Sequence, residues 1–226
     1  MSLMSNEDQA RLRGDFAALT RPVRLVFFTR ADDCETCDHA RQVLDELPAL
    51  SDKITVEEID FSTERDKAYA YGIDHVPAIA VVGQDAEGLE RDSHIRFLGT
   101  PSGYEFISLL RAVLLTGTGE SGLQAETRQR VAAVDKATTV HVFTTPTCPH
   151  CPRAVILAHE MAFLNPNITA YAVEATEYPD LARRFRVTGV PKTVVDDRIE
   201  ILGALPEAEF VAQALGDAPT ETLNPL

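Results

Sequence analysis

Tryptophan is absent from this chain of 226 residues, methionine occurs three times and cysteine four times. Lysine is scarce too, with four against seventeen arginines, so the composition lacks the Lys/Glu enrichment of hyperthermophilic proteins. Basic residues number 21 against 35 acidic ones, a formal net charge of −14. That balance argues against nucleic acid as a partner, because phosphate binding depends on clustered Lys and Arg, and it equally disfavours an anionic membrane surface. An acidic, solvated exterior accounts for it. No apolar run approaches the ~20 residues of a membrane span. Met1 to Gly14 is polar and lacks the apolar core of a secretory signal, so the expected compartment is the cytoplasm.

The cysteines fall into two Cys-x-x-Cys pairs, Cys34/Cys37 and Cys148/Cys151, with none left over. Secreted scaffolds scatter their cysteines so that bridges close long loops, whereas a bridge across two residues constrains the unfolded chain little. These pairs therefore point to chemistry rather than to stapling.

Cys34 and Cys148 are 114 residues apart, and the same offset relates Val76-Pro77 to Val190-Pro191 and Ile54-Thr55 to Ile168-Thr169. Three landmarks at one spacing mark a duplicated unit. In each copy an apolar run (Arg24–Phe28; Val140–Phe143) predicts a buried strand, followed by a polar loop with the cysteines. A helix follows, with Ala40, Val43, Leu44 and Leu47, or Ala154, Leu157, Ala158 and Met161, along one stripe. Then come a strand, a short helix, Val-Pro, two further strands and a closing helix. A leading helix precedes each copy. This order predicts an α/β fold of two tandem units, each a mixed central sheet flanked by helices. The Gly-rich stretch Thr116–Gly122 predicts the boundary, giving units 5–118 and 119–218 and a tail 219–226.

A strand, a Cys-x-x-Cys motif at a helix start and a Val-Pro some forty residues on resemble the thioredoxin superfamily. The tandem arrangement with both pairs intact resembles the glutaredoxin-like protein disulfide oxidoreductases, and Thr145-Pro-Thr-Cys-Pro-His-Cys151 is the most specific segment. The related N-terminal unit of the alkyl hydroperoxide reductase flavoprotein typically keeps one pair, so two intact pairs argue against it. The resemblance implies that Pro77 and Pro191, following Val76 and Val190, are cis and lie against the sulfurs. It implies no bound cofactor, protein disulfides as substrates and a thioredoxin-reductase-like flavoprotein as electron source. Three departures stand out. Asp33 and Thr147 replace the tryptophan that thioredoxins place before the first cysteine, and Phe28 and Val142 replace their buried acid. Gly203-Ala204-Leu205 replaces the glutathione-holding Gly-Gly-x-Asp of glutaredoxins.

Disulfide exchange needs a thiolate that attacks and a second thiol that resolves the mixed disulfide. At a helix start the first cysteine meets free N–H groups and the positive end of the macrodipole, which makes Cys34 and Cys148 the expected nucleophiles and Cys37 and Cys151 the resolving thiols. His150 beside Cys148 and Lys192 after Pro191 add positive charge at the second site, while Pro149 shapes its first turn. Asp32, Asp33, Glu35 and Asp38 surround Cys34 and oppose its ionisation. The second pair is therefore expected to be the more oxidising and to carry most of the chemistry, with the first as a slower or relay site. A Cys-x-x-Cys metal protein or a non-catalytic interaction module are the alternatives.

Overall fold

In the computed structural model, which describes residues 4–217, the two copies share a single eight-stranded sheet. The tail 219–226 lies outside the described residues. The first copy comprises α1 (Asn6–Phe16), β1 (Val23–Thr29), α2 (Cys37–Asp45), β2 (Ile54–Asp60), α3 (Arg65–Ala70), β3 (Ala78–Gln84), β4 (Glu90–Leu98) and α4 (Glu105–Thr118). The second repeats it as α5 (Ala125–Ala132), β5 (Thr138–Thr144), α6 (Cys151–Leu164), β6 (Ile168–Glu174), α7 (Pro179–Arg184), β7 (Lys192–Val195), β8 (Ile199–Leu202) and α8 (Glu207–Ala214).

The strand order is β2-β1-β3-β4-β6-β5-β7-β8. Within each copy one strand pair is parallel and the hairpin antiparallel. The copies meet where β4 runs parallel to β6, in register from Ile95↔Ala170 to Leu98↔Val173. Following these directions across the sheet, β1 and β5 point the same way. The loops that follow them open on one edge of the sheet, four strand spacings apart, or about 19 Å at ~4.8 Å per strand.

Helices cover both faces unequally. The larger core takes residues from α1, α2, α4, α5, α6 and α8, while α3 and α7 cover the other face. β1 shows why its sequence is an unbroken apolar run: Phe27 enters the first core and its neighbour Phe28 the second, both fully buried. Each contributes about 2–3 kcal/mol of transfer free energy.

Two expectations change. Strand β4 begins at Glu90, earlier than its apolar portion suggests, and carries a bulge at which the ladder shifts between Val81 and Val82. There Ser93 Oγ donates to the Val81 carbonyl (2.5 Å) and His94 adopts a φ of 58°. The charged Glu90-Arg-Asp segment breaks the period-2 pattern and hides the strand start. The stretch Thr116–Gly122 is also only partly a connection, because α4 runs through Thr118 and ends on Gly119. Gly117 is a contact rather than a hinge. A Cβ there would stand 2.5 Å from Leu19 Cδ2 and 2.9 Å from Val23 Cγ2, and its carbonyl accepts the amides of Thr20 and Arg21. Among the described residues no helix is long and apolar enough to cross a membrane.

The seam between the copies is sealed by Phe97 of β4 and His159 of α6, whose rings meet edge to face at 4.9 Å. His159 is fully buried, and burial pushes its imidazole down to about 3; His141, stacked on Tyr171, is pushed down to about 4 for the same reason. An unfolded histidine titrates near 6.5, so the unfolded chain takes up protons that the folded one refuses. The histidines' contribution to stability is therefore full at neutral pH and is lost as pH falls from about 6.5 towards 3–4. Urea unfolding at pH 7 and pH 4.5 should show this loss, with His159 accounting for about 2–3 kcal/mol at pH 4.5. His159→Leu should flatten that part of the slope; an unchanged slope would show that the seam histidine is not its source.

Candidate active site

Each cysteine motif sits where a strand hands over to a helix. Thr36 is the N-cap of α2 and His150 that of α6, so Cys37 and Cys151 are the first helical residues and are buried. Cys34 and Cys148 stand just outside the helices, ahead of the N–H groups that have no intrahelical acceptor. Cys148 is 8% exposed, whereas Cys34 is more open. Both pairs are disulfide-bonded, with Cα–Cα distances of 5.5 Å.

The sheet register brings the Val-Pro segments to these loops. Ala78 pairs with Phe28 and Lys192 with Phe143, so Pro77 and Pro191 lie level with the ends of β1 and β5. Both Val76-Pro77 and Val190-Pro191 peptide bonds are cis. Each proline carbonyl accepts an amide at 2.9 Å, from Gly99 and Gly203 respectively.

The charges differ from the simplest expectation. Asp32, Asp33, Glu35 and Asp38 are exposed around Cys34, but Asp38 pairs with Arg41 (3.0 Å), which also binds Glu58 (2.6 Å). The Glu58 hydrogen bond raises Arg41 above its usual range, so this cation persists. Arg30 donates to the Asp33 carbonyl (2.7 Å), in a turn where Asp33 has a φ of 55°. At the second site Pro149 and His150 are exposed. Lys192 does not offer its charge to the mouth as expected. It is 4% exposed, donates to the Phe185 carbonyl (2.7 Å) and pairs with Glu200 (3.0 Å), because the first residue of β7 turns its side chain towards α7 and β8.

Each site also receives groups from the other copy, which local sequence patterns did not reveal. Glu177, in the β6–α7 connection, accepts the Thr36 hydroxyl (2.6 Å) and the Thr100 amide (3.0 Å). Next to it, Tyr178 donates its hydroxyl to the Pro77 carbonyl (2.9 Å). A groove of about 310 Å³ runs between the Asp74-His75-Val76 segment and Tyr178–Arg184. In return, the Tyr104 amide donates to the Pro146 carbonyl (2.9 Å) in the second cysteine loop. Gly103, at a φ of 59°, permits that approach, since a Cβ would lie 2.2 Å from the Pro146 oxygen.

Glu105, at the start of α4, is 3% exposed and shares a small cavity wall with Thr144, the last residue of β5, and with Glu174. Neither of its carboxylate oxygens has a hydrogen-bond partner among the described residues. Burial pushes Glu105 up to about 7, with the Ser108 hydroxyl one turn along pulling the other way without closing a bond of good geometry. In sequence it reads as an ordinary first-turn acid; only the fold shows it beside Thr144, the residue that leads into the second cysteine loop. Because the folded pKa lies above the unfolded value of about 4.5, the penalty is absent below pH ~4.5, grows as pH rises, and is complete above ~7. Glu105→Gln should therefore stabilise the protein by about 3 kcal/mol at pH 8 and have little effect at pH 4.5, as read by thermal or urea unfolding. Equal effects at the two pH values would mean that this carboxylate is not desolvated.

With this geometry in place, comparisons identify the relatives. Residues 138–216 match the thioredoxin domain family. The solved N-terminal N/C domain of alkylhydroperoxide reductase AhpF from Enterococcus faecalis is 31% identical, with a TM-score of 0.83 over 92% of this chain and 98% of that one. A protein disulfide oxidoreductase from Aeropyrum pernix superposes with a TM-score of 0.84 at 26% identity, over 93% of this chain and 92% of that one. The corresponding alkyl hydroperoxide reductase protein of Pseudomonas aeruginosa is 24% identical over 205 residues, 91% of this chain but 36% of that protein. This chain thus spans about a third of the length of such curated relatives. The tandem architecture is shared with both the hydroperoxide reductase unit and the protein disulfide oxidoreductase. The chain belongs to the thioredoxin-fold oxidoreductase family, and each of its two copies carries a Cys-x-x-Cys pair fit for dithiol–disulfide exchange.

Proposed function

We propose that units 5–118 and 119–218 each exchange thiols with protein disulfides, reducing, forming or rearranging them, and that Cys148–Cys151 is the principal site. In the reducing direction the Cys148 thiolate attacks a substrate sulfur and forms a mixed disulfide. Cys151 then attacks Cys148, releasing the substrate thiol and closing the Cys148–Cys151 bond, so that two electrons and two protons pass to the substrate. Pro149 and His150 shape the entry to α6, and Pro191 after Val190 borders the site as Pro77 after Val76 borders the first. Glu105, protonatable near neutrality and beside Thr144 at the start of the second loop, serves as the local proton store that the apolar Val142 does not provide.

The observation that carries this ranking is electrostatic. Asp32, Asp33 and Glu35 crowd Cys34, while Pro149 and His150 flank Cys148. About 19 Å between the loops leaves no direct exchange between the pairs in this conformation, so the first pair acts in parallel, or through another molecule, rather than as an internal relay. Electrons reach the pairs from a thioredoxin-reductase-like flavoprotein in the cytoplasm, a reading supported by the likeness to the alkyl hydroperoxide reductase proteins.

Dithiothreitol-driven insulin reduction tests the ranking. Cys148→Ser should reduce turnover at least tenfold, whereas Cys34→Ser should keep most of it. The reverse order would mean that neighbouring acids do not govern the two pairs, and inactivity of the unmutated protein would refute the reading itself.

A further inference from the structure

The repeat allows the surroundings of the two pairs to be compared position by position. The place of Thr36 in the first motif is taken by His150 in the second. The amides of Gly99 and Gly203 occupy equivalent positions on the proline carbonyls, so Thr100 corresponds to Ala204. The 114-residue offset sets Thr63 opposite Glu177 and Glu64 opposite Tyr178. These counterparts lie just after β2, at the free edge of the sheet, where there is no neighbouring copy to touch. The contact made by Glu177 and Tyr178 therefore exists at the first site alone.

That contact reaches into the redox motif. Thr36 lies between the two cysteines, and its hydroxyl donates to Glu177 Oε2 at 2.6 Å. Glu177 Oε1 accepts the Thr100 amide at 3.0 Å, and the Thr100 hydroxyl lies 3.3 Å from Oε2. The Glu177 amide is itself held by Glu174 Oε2 (2.6 Å), which also accepts the Thr176 hydroxyl (2.7 Å). Glu177 is half-buried and fixed on several sides, whereas Asp32, Asp33 and Glu35 are exposed and screened by solvent. A fixed, partly desolvated carboxylate acts on a nearby thiolate more strongly than mobile surface ones.

Resting on the reading of Cys34–Cys37 as a redox pair, we propose that Glu177, supplied by the second unit, is the positioning residue of the first site: it pins the Thr36 turn and, by its negative charge, holds the Cys34–Cys37 pair at a lower reduction potential than Cys148–Cys151. The balance concerns the two-electron step in which the Cys34–Cys37 bond breaks, two glutathione thiols become glutathione disulfide, and their two protons are shared between the new thiols and solvent. A carboxylate beside the pair disfavours the thiolate fraction of the reduced form and leaves the disulfide relatively favoured. Tyr178 braces the same arrangement from the proline side through the Pro77 carbonyl.

The test uses full-length protein with one pair left intact, Cys148→Ser/Cys151→Ser or Cys34→Ser/Cys37→Ser, equilibrated in glutathione redox buffers at pH 7. The dithiol fraction is read by alkylation and mass. Glu177→Gln keeps the shape and removes the charge; it should shift the first pair about tenfold towards the dithiol, equivalent to a rise of about 30 mV, and leave the second pair unmoved. Glu177→Asp, which retains the charge, should stay close to the unmutated value. No shift of the first pair, or an equal shift of both pairs, overturns the proposal while leaving the thiol-exchange reading intact. If the first pair fails to equilibrate with glutathione even without a change at Glu177, the redox reading of that site falls together with the proposal.

Discussion

The parallel pairing of β4 with β6 is the constraint on which the rest of this molecule depends. Four residue pairs, Ile95↔Ala170 to Leu98↔Val173, turn two four-stranded sheets into one of eight strands. An unpaired edge leaves a row of amides and carbonyls open to chance association, and here two of the four possible edges are consumed in one seam. The outer edges that remain are polar, with Glu57, Glu58 and Asp60 on β2 and Glu200 on β8. The seam is also packed above and below the sheet. Phe97 and His159 meet on the face covered by α4 and α6. On the other face the buried Arg96 is anchored by Asp92 and by the Tyr71 carbonyl.

Because the two copies are joined side by side, the pairing is not self-complementary, and identical positions meet different neighbours. The first copy offers β4 and the start of α4; the second offers β6 and the connection to α7. The first site thus acquires Glu177 and Tyr178, while the second acquires Tyr104 and Glu105. A duplication that began as a repeat has become asymmetric through its topology.

Much of this was legible in the sequence. The offset of 114 residues identified the copies, and the alternation of apolar runs with helical stripes identified their elements, because both signals are local. The cysteines and the Val-Pro segments were likewise visible as short motifs. The seam was not, since no local pattern says which edge of one sheet meets which edge of another. Glu105 and Glu177 therefore looked like any acid near a helix start. Gly117 looked like linker because composition cannot separate a glycine chosen for flexibility from one chosen for close approach. Lys192 was expected to add charge at the second site, yet β7 carries it inward to Phe185 and Glu200.

This arrangement bears on why the copies stay together. Phe28 and Val142 leave the strand positions beneath both pairs apolar, so neither copy holds an internal acid on its own central strand. Around Cys34 only exposed carboxylates would remain if the second copy were removed, and their influence is weakened by solvent and by Arg41. The desolvated carboxylate beside Thr144, at the end of β5, comes from the first residue of α4, beyond the seam. Its desolvation requires the partner copy to be packed in place, so the electrostatic character of this carboxylate depends on the seam. A half without its partner copy has its own cysteines and proline but not the carboxylate that the seam brings to it. The β4–β6 seam thus brings Glu177 to the Thr36 hydroxyl between Cys34 and Cys37, and the Tyr104 amide to the second cysteine loop.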